Sequence, residues 1–334
     1  MKVTRPNVLV LASDVLFQHF FPSAALEKLG AATEWTRSSL REDSTELRHE
    51  ISTADVLMTT WHSPFLTPDM LGTKSSVKLI AHCGGEVKSR IAESIFDYVT
   101  VTNAADPMSR GVAEMTLALV LTLVRRIPEY ANEMRKGVIR TNEQVSEGET
   151  LFGRKVGIVG FGRIGRTFAQ LLKPFNLELL VTDPYAQQNV AEVNNVRLVE
   201  LDELVSSCSV VVLAAALTPE TRHLFDKRRL GLLLDGSYLI NVARGGLIDN
   251  QALVEELKSG RITAALDVTD PLEPLPENHE LRKLPNIILT PHIAAGGLEM
   301  RREIGMLAVE EVVRFSNGQP PLNRVTREML ATMT

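Results

Sequence analysis

Three glycines follow one short apolar run near the middle of the chain. Gly160, Gly162 and Gly165 come directly after "KVGIV" and open the segment "RIGRTFAQLL", which is predicted to be a helix. A strand, a G-x-G-x-x-G turn and a helix together form the fingerprint of a dinucleotide site. The first glycine allows the tight turn, the second lets the backbone approach a pyrophosphate, and the third lets helix and strand pack closely. A plain strand-to-helix turn is the alternative.

The residues around this turn supply the other groups that a dinucleotide needs. The start of the predicted helix presents free N–H groups and a positive dipole end to an anion, with Arg163 and Ile164 contributing amides. Asp183 follows Gly165 by eighteen residues, at the end of the next apolar run. A carboxylate there accepts hydrogen bonds from ribose hydroxyls and repels a 2′-phosphate, so NAD is predicted over NADP. Because Asp183 precedes Pro184, a simple turn role is the alternative.

Strand and helix patterns alternate along the whole chain. The strand-like runs are rich in Val, Ile and Leu, as expected of strands buried on both faces of a parallel sheet that helices cover. The predicted strands are 7–13, 55–60, 77–83 and 98–103 in a first series, and 155–160, 178–183, 196–199, 209–215, 237–242, 263–268 and 286–291 in a second. The predicted fold class is therefore α/β, with two lobes and the chain crossing between them near 105 and near 295.

Helical patterns lie between these strands. The segment 22–30 is one of them, with Gly30 predicted as its C-terminal cap. The longest helical pattern covers 109–137 and is apolar on much of its circumference, and a last helix covers 296–318.

Composition excludes several classes of protein. The 334 residues are 44% hydrophobic and 23% charged with a formal net charge of −5, as in an ordinary globular protein of about two domains. The basic residues are scattered, so no nucleic-acid partner is predicted. No run approaches the roughly 20 apolar residues that cross a bilayer, so no membrane partner is predicted. Cys83 and Cys208 are too few for a disulfide framework and have no metal-ligand spacing, so no metal is expected and a reducing cytoplasm is predicted.

Five segments, in this order and spacing, resemble one enzyme family. They are "GVAE" (111–114), "ALTPETRHLF" (216–225), "INVARGGLIDNQAL" (240–253), "AALDVTDPLEPLP" (264–276) and "ILTPHIA" (288–294). Together with the glycine turn they resemble the NAD-dependent D-isomer-specific 2-hydroxyacid dehydrogenases. The resemblance covers most of the chain and is densest from 150 to 295.

The resemblance implies how the two lobes are divided. Residues 1–106 and 296–334 would form a flavodoxin-like, doubly wound substrate domain. Residues 107–295 would form a Rossmann dinucleotide-binding domain, also with a doubly wound parallel sheet. The family further implies a homodimer formed through the NAD-binding domain, with the 109–137 helix involved.

Two residues in these motifs have side chains suited to the chemistry of a 2-hydroxy acid. Arg244, at the end of "INVARG", carries a guanidinium that can hold a carboxylate through two parallel N–H bonds and stays charged at any working pH. His292, at the end of "ILTPH", matches the family's acid–base residue, which exchanges a proton with the substrate oxygen. A capping or surface arginine and a structural histidine are the alternatives.

A carboxylate is expected to orient His292, and Glu273 is the predicted one. The sequence departs from the family here. The glutamate usually follows the aspartate of the "D-V" strand end by five residues, whereas Glu273 follows Asp267 by six. Asp270 is therefore the competing carboxylate.

The resemblance also implies the remaining members of the site. Asp267 is predicted to contact the nicotinamide amide. The other predicted cofactor-binding residues are Thr218, Val242, Ala243, Arg244, His292 and Ala295. The family binds the substrate carboxylate with backbone amides of a glycine-rich loop, and "AHCGGEVKS" (81–89) occupies that place with unusual residues. The predicted substrate-binding residues are Trp61, His62, Cys83, Gly84, Gly85 and Arg244, with no nucleophilic role for Cys83.

The sequence thus predicts an oxidoreductase that moves a hydride between NAD(H) and a small D-2-hydroxy or 2-keto acid. A glyoxylate or hydroxypyruvate reductase and an enzyme similar to phosphoglycerate dehydrogenase are narrower alternatives. A non-catalytic protein that senses NAD(H) is an alternative of another class.

Overall fold

The computed structural model describes residues 5–73, 75–139 and 147–333. The strands in these residues are β1 (Asn7–Leu11), β2 (Glu34–Ser38), β3 (Val56–Thr59), β4 (Leu79–His82), β5 (Thr100–Asn103), β6 (Lys155–Val159), β7 (Glu178–Thr182), β8 (Arg197–Leu198), β9 (Val210–Leu213), β10 (Tyr238–Asn241), β11 (Thr263–Leu266), β12 (Ile287–Leu289) and β13 (Arg324–Val325). The α-helices are α1 (Asp14–Phe20), α2 (Ser23–Ala32), α3 (Thr45–Ser52), α4 (Pro68–Leu71), α5 (Ala105–Val124), α6 (Ile127–Arg135), α7 (Arg163–Leu172), α8 (Gln188–Asn194), α9 (Leu201–Ser207), α10 (Lys227–Leu232), α11 (Asn250–Ser259) and α12 (Leu298–Ser316).

The chain divides into two compact units. One consists of Met1–Met108 with Gly296–Thr334, and the other of Ser109–Ala295. Each unit has a sheet and a core of its own.

The first unit is built on a sheet with the strand order β13-β5-β4-β3-β1-β2. Strands β1 to β5 are parallel, and alternate side chains leave the sheet on opposite faces. Val10 and Met58 pack with side chains of α1, α2 and α12 on one face. Leu11 and Leu57 pack with side chains of α3 and α4 on the other. Both faces are therefore covered, which is why β1 and β3 are apolar without alternation.

The second unit has a parallel sheet in the order β12-β11-β10-β9-β6-β7-β8. Val210 and Val212 belong to the core on the face of α5 and α7, while Val211 and Leu213 belong to the core on the face of α9 and α11. The predicted α/β class with two parallel sheets is confirmed.

Two short strands were not predicted from the sequence. Strand β2 lies at the edge of the first sheet, and its sequence "EWTRS" buries only Ser38. An edge strand with polar side chains lacks the apolar run that marks a buried one. Strand β13 follows the last helix, has two residues and is antiparallel to β5. The predicted last helix, 296–318, is therefore followed by a further strand.

Two predicted helix boundaries were also wrong. Gly30 lies inside α2, because Ala31 and Ala32 continue the helix and Thr33 is the cap. The 109–137 pattern is two helices, α5 and α6, and α5 begins earlier than predicted. The break lies at Arg126, whose φ of 51° is left-handed, and Pro128 occupies the first turn of α6, where its missing N–H is tolerated.

One helix in the described residues is long and apolar enough to cross a membrane by length and composition. The most apolar window of α5 has a mean hydropathy of 1.3, so the prediction that no such stretch exists was too strong. Half of that window is buried, and Val120 and Val124 pack in the core of the second unit. A core helix meets the same criteria, so the helix is weak evidence for a membrane span.

Candidate active site

The predicted cofactor and catalytic residues follow neighbouring strands of the second sheet. The chain builds β6, β7 and β8 in one direction from the sheet's centre and β9 to β12 in the other, so the direction reverses between β6 and β9. Open α/β sheets bind ligands at such a switch, outside the carboxyl ends of the strands. The residues that follow these strand ends are Gly160 after β6, Asp183 after β7, Thr218 after β9, Arg244 after β10, Asp267 after β11 and His292 after β12.

The glycine turn has the shape that a dinucleotide site requires. Gly160 has a φ of +94°, and a Cβ there would lie 2.5 Å from the backbone nitrogen of Ala215. A Cβ on Gly165 would lie 2.3 Å from the carbonyl oxygen of Gly160, so only glycine allows this contact of helix and strand. Gly162 caps α7, and a Cβ there would meet nothing within 4 Å. The turn is therefore closely packed at Gly160 and Gly165 and open at Gly162. This fits a pyrophosphate against the start of α7.

Asp183 connects the glycine turn to the end of β7. Its Oδ2 accepts a hydrogen bond from the amide of Phe161 at 2.6 Å, and its Oδ1 accepts one from the amide of Tyr185 at 2.8 Å. The side chain therefore has the turn role that was the alternative. A carboxylate has about four acceptor positions, so it can also accept ribose hydroxyls.

The loop that carries Arg244 is fixed by a residue that the sequence reasoning missed. Asn241 is fully buried, receives the Ala243 amide on Oδ1 at 3.0 Å, and donates from Nδ2 to the carbonyl of Arg244 at 2.9 Å. The sequence feature that could have indicated this role is a polar residue, Asn241, at the end of an otherwise apolar strand, because buried polar groups are hydrogen-bonded. The half-buried Arg244 has extended backbone, and its guanidinium donates to the Ala243 carbonyl at 2.8 Å.

Asp267 holds the loop that contains His292. It is 1% exposed. Its Oδ1 accepts hydrogen bonds from the Thr290 hydroxyl at 2.5 Å and the Ile293 amide at 3.0 Å, and its Oδ2 accepts the Ala294 amide at 2.9 Å. These three hydrogen bonds give the carboxylate a structural task in holding the loop. The contact with the nicotinamide amide stays a prediction.

His292 has a backbone conformation that few residues adopt. Its φ is +54°, a left-handed value that costs a residue with a side chain on the order of 1–3 kcal/mol. The amide of His292 donates to the Asp267 carbonyl at 2.9 Å. The bonds to Asp267 therefore supply the constraint that keeps the residue in this conformation.

The imidazole of His292 is paired with Glu273. The distance from Nδ1 to Oε1 of Glu273 is 2.9 Å, and the side chains are 46% and 38% exposed. With the Nδ1 proton directed at the carboxylate, Nε2 is the nitrogen available to another group. The competing carboxylate, Asp270, lies 3.5 Å from a guanidinium nitrogen of Arg222 instead. The additional residue in the loop therefore does not prevent the contact between Glu273 and His292.

The other predicted cofactor-binding residues differ in exposure. Val242 and Ala243 are buried, Ile164, Thr218 and Ala295 are half-buried, and Arg163 is exposed. The amide of Thr218 donates to the hydroxyl of Thr221 at 2.7 Å, so this amide is already used.

In the first unit, the amides that the predicted substrate loop leaves without an acceptor differ from those expected. The amides of Cys83 and Gly84 donate to the carbonyls of Thr59 and His82, at 2.7 and 3.0 Å. These two predicted donors are therefore wrong. Across the described ranges, no acceptor meets the amides of Gly85 and Glu86, so the available donors of this loop begin at Gly85, two residues later than expected.

Three side chains lie in or next to that loop. Cys83 is buried, and burial raises the pKa of its thiol, which agrees with the absence of a nucleophilic role. His82 is also buried and lies 2.9 Å from the hydroxyl of Thr59; burial, with a smaller effect of Arg90, lowers the pKa of His82 to about 3. Trp61 is half-buried and packs edge-on against Phe20. His62, which was also predicted to bind the substrate, is exposed.

Comparisons with known proteins show which family this chain is similar to. A sequence model described as the NAD binding domain of D-isomer specific 2-hydroxyacid dehydrogenases matches residues 117–294. The chain is 34% identical over 318 residues to the D-3-phosphoglycerate dehydrogenase of Methanocaldococcus jannaschii, covering 93% of this chain and 58% of that protein. It is 31% identical to the glyoxylate reductase of Thermococcus onnurineus, covering 86% of this chain and 89% of that protein.

A solved structure has the same fold throughout. A crystallised protein from Thermus thermophilus superposes with a TM-score of 0.79 at 31% sequence identity, covering 96% of this chain and 100% of the other. The sequence model spans more than half of the chain and covers most of the second unit. The chain belongs to the D-isomer-specific 2-hydroxyacid dehydrogenase family, and its second unit carries that family's NAD-binding domain.

Proposed function

We propose that the protein is an NAD-dependent dehydrogenase that interconverts a small D-2-hydroxy acid and the corresponding 2-keto acid. The observation that carries this proposal is the pair formed by His292 and Glu273 on the sheet edge that also holds the glycine turn. A proton-exchanging imidazole beside a dinucleotide site is what an alcohol-to-ketone reaction needs.

The residues that would hold the cofactor belong to the second unit. The turn from Gly160 to Gly165 and the start of α7 would bind the pyrophosphate, and Asp183 would accept the ribose hydroxyls. When bound there, NAD(H) supplies the acceptor or donor of the hydride. A carboxylate that binds the ribose hydroxyls favours NAD over NADP, because it would repel a 2′-phosphate.

His292 would move the proton. Its Nε2 donates a proton to the carbonyl oxygen during reduction of the keto acid, and takes the hydroxyl proton during oxidation of the hydroxy acid. Glu273 is the group that orients the ring through Nδ1 and stabilises the charged imidazolium form. Positioned proton transfer of this kind contributes about 10²–10⁴-fold in rate.

Arg244 would bind the substrate carboxylate and polarise the keto oxygen. A guanidinium offers two parallel donors, and its backbone is fixed through Asn241, so the fork is held by a rigid loop. In the first unit, we assign the amides of Gly85 and Glu86 to substrate binding as well, because amides without an acceptor in the described ranges are suited to an anion.

The names of the relatives limit the class of substrate but do not select one compound. The relatives above are a D-3-phosphoglycerate dehydrogenase and a glyoxylate reductase. This chain spans 58% of the length of the first of these. We therefore propose the reaction class, with a glyoxylate or hydroxypyruvate reductase and a phosphoglycerate dehydrogenase as the narrower candidates.

A panel of 2-keto acids tests this function. Each acid is mixed with the protein and either NADH or NADPH, and loss of the reduced cofactor is followed by absorbance. We expect turnover of at least one small keto acid with NADH, and weaker turnover with NADPH. Tight NADH binding without turnover of any member would refute the proposal and favour the alternative, a protein that senses NAD(H).

We also propose a homodimer formed through the second unit. Within the described residues of α6 none is buried, and Ile127 and Met134 are 51% and 67% exposed. Val138 and Ile139, which follow α6, are 42% and 85% exposed, so a contiguous stretch of chain presents apolar side chains to water.

Sedimentation of a charged variant tests the dimer. Met134→Glu should shift the protein toward monomer, because a carboxylate would be buried in the interface. Leu322→Glu, at a similarly exposed leucine of the first unit, is the matched control and should not change the mass. A monomeric wild-type protein would refute this proposal.

A further inference from the structure

Helices α1 and α12 of the first unit approach closely at one point. A Cβ on Gly305 would lie 1.8 Å from the carbonyl oxygen of Phe20, so only glycine fits there. Arg301 lies one turn before Gly305, on the same face of α12, and His19 lies next to Phe20. The close approach of the two helices therefore sets the position of Arg301 against His19.

The guanidinium of Arg301 is held by uncharged partners. One of its terminal nitrogens donates to Nδ1 of His19 at 2.8 Å. Because arginine can only donate, the histidine accepts on Nδ1 and carries its proton on Nε2. The guanidinium carbon also lies 5.0 Å from the ring centre of Trp61. No carboxylate of the described chain pairs with it, and its buried Nε has no hydrogen-bond partner there.

This arrangement is not explained by helix stability. Side chains of a helix lean toward its N-terminus, so the Arg301 guanidinium lies toward the positive end of α12. A positive charge is unfavourable there, and its partial burial removes water from it. A half-buried, oriented cation without a carboxylate partner is instead suited to an external anion.

Trp61 connects this cation to the substrate loop. Its indole nitrogen lies 2.9 Å from the position of a Cβ on Gly84, and its ring lies under Arg301. The amides of Gly85 and Glu86 are the next along that loop. Trp61 therefore contacts both the substrate loop, at Gly84, and the guanidinium of Arg301.

We propose that Arg301 binds a second anionic group of the substrate, so that the protein selects 2-keto or 2-hydroxy acids that carry another carboxylate or a phosphate. This inference rests on the proposed function, since it assigns the loop around Gly85 to the first carboxylate. The fork of Arg301 would receive two oxygens of the second anion, while Trp61 and His19 keep the guanidinium in place.

The kinetic test compares substrates in matched pairs. Oxaloacetate is compared with 2-oxobutyrate for a carboxylate, and 3-phosphohydroxypyruvate with hydroxypyruvate for a phosphate. We expect one pair to show a preference for the dianion. Arg301→Gln should reduce that preference in kcat/KM by about 10- to 100-fold, mainly through KM, as for the loss of a charged hydrogen bond. Arg302→Gln, at the exposed neighbouring arginine, is the matched control and should keep the preference.

A binding measurement separates this inference from the proposed reaction. The chain has two tryptophans, so Trp35→Phe leaves Trp61 as the reporter of its own stacking with Arg301. Fluorescence is titrated with succinate against butyrate, and with 3-phosphoglycerate against glycerate, without cofactor. We expect saturable binding of one dianion, weakened about tenfold or more by Arg301→Gln, less by Arg301→Lys, and unchanged by Arg302→Gln.

The outcomes are distinct. If dianions bind through Arg301 but no keto acid is reduced, the reaction is refuted and the anion site stands. If keto acids are reduced but neither matched pair responds to Arg301→Gln, the anion site is refuted and the reaction stands. Equal titrations of a folded Arg301→Gln variant and the parent would also overturn the inference, with the unfolding temperature as the check on folding.

Discussion

The backbone carbonyl of Asp267 accepts the amide of His292 at 2.9 Å, while the carboxylate of the same aspartate accepts the two amides that follow. One buried residue at the end of β11 thus fixes the left-handed conformation of a residue at the end of β12. The position of the candidate acid–base therefore depends on a neighbouring strand rather than on its own segment.

Asp267→Asn tests this dependence. The amide group would present donors to the Ala294 amide or to Thr290 and Ile293, so we expect a loss of about 1–3 kcal/mol in the free energy of unfolding together with a lower kcat. Urea unfolding and steady-state kinetics measure the two effects. Asp235→Asn, at a side chain that is 87% exposed, is the control and should be neutral. Unchanged stability and kcat in Asp267→Asn would contradict the assigned task.

His292→Ala should lower kcat by about 10²–10⁴-fold, because the positioned proton donor is removed. NADH affinity, measured by fluorescence titration, should stay close to that of the wild type. Turnover at the wild-type rate would exclude the proton-transfer role.

Glu273→Gln and Asp270→Asn form a matched pair of carboxylate-to-amide changes. Because only Glu273 lies beside Nδ1 of His292, Glu273→Gln should lower kcat about tenfold or more, and Asp270→Asn should have a much smaller effect. Both rates are measured with saturating keto acid. A larger loss for Asp270→Asn would reverse the assignment.

Arg244→Lys should mainly weaken binding of the keto acid. Lysine keeps the charge but is a point charge that cannot reproduce two parallel donors, so we expect KM to rise about tenfold or more. NADH affinity serves as the internal reference. An unaltered KM would show that the carboxylate is bound elsewhere.

Asp183→Ala should reduce the selectivity for NAD over NADP. The carboxylate would no longer repel a 2′-phosphate, and the Phe161 amide would lose its acceptor, so NADH affinity should also fall. The ratio of kcat/KM values for the two reduced cofactors is the measurement, with Asp226→Ala, an N-cap of α10, as a control for general loss of stability. A ratio equal to that of the wild type would mean that another group reads the ribose.

His82 should make stability depend on pH. Burial lowers its pKa from 6.5 to about 3, so below pH 6.5 the unfolded chain binds a proton that the folded chain does not. Stability should therefore fall as pH falls from 6.5 toward 3, by up to about 1.4 kcal/mol per pH unit. Urea unfolding of the wild type and of His82→Gln across this range isolates the effect, since the carboxylates are common to both. Parallel stability curves would refute it.

The sequence by itself determined the α/β class and the order of the site segments. Continuous runs such as "VVVL" before Thr218 and "YLIN" before Arg244 specify strands buried on both faces, because only a sheet covered on both sides can bury every side chain. The glycine spacing after β6 was equally informative, since the tight turn at Gly160 and the contact at Gly165 exclude other residues.

Tertiary structure decided which groups meet and which are already used. The spacing from Asp267 to Glu273 left Asp270 as a rival, and only the folded loop places Glu273 at the imidazole. Amides of Cys83 and Gly84 are consumed by neighbouring backbone, which no local pattern reveals. Arg301 and Trp61 are 240 residues apart in sequence, and their contact exists because Gly305 brings α12 against α1. Periodicity reports which residues are buried, whereas hydrogen-bond partners depend on the packing of distant segments.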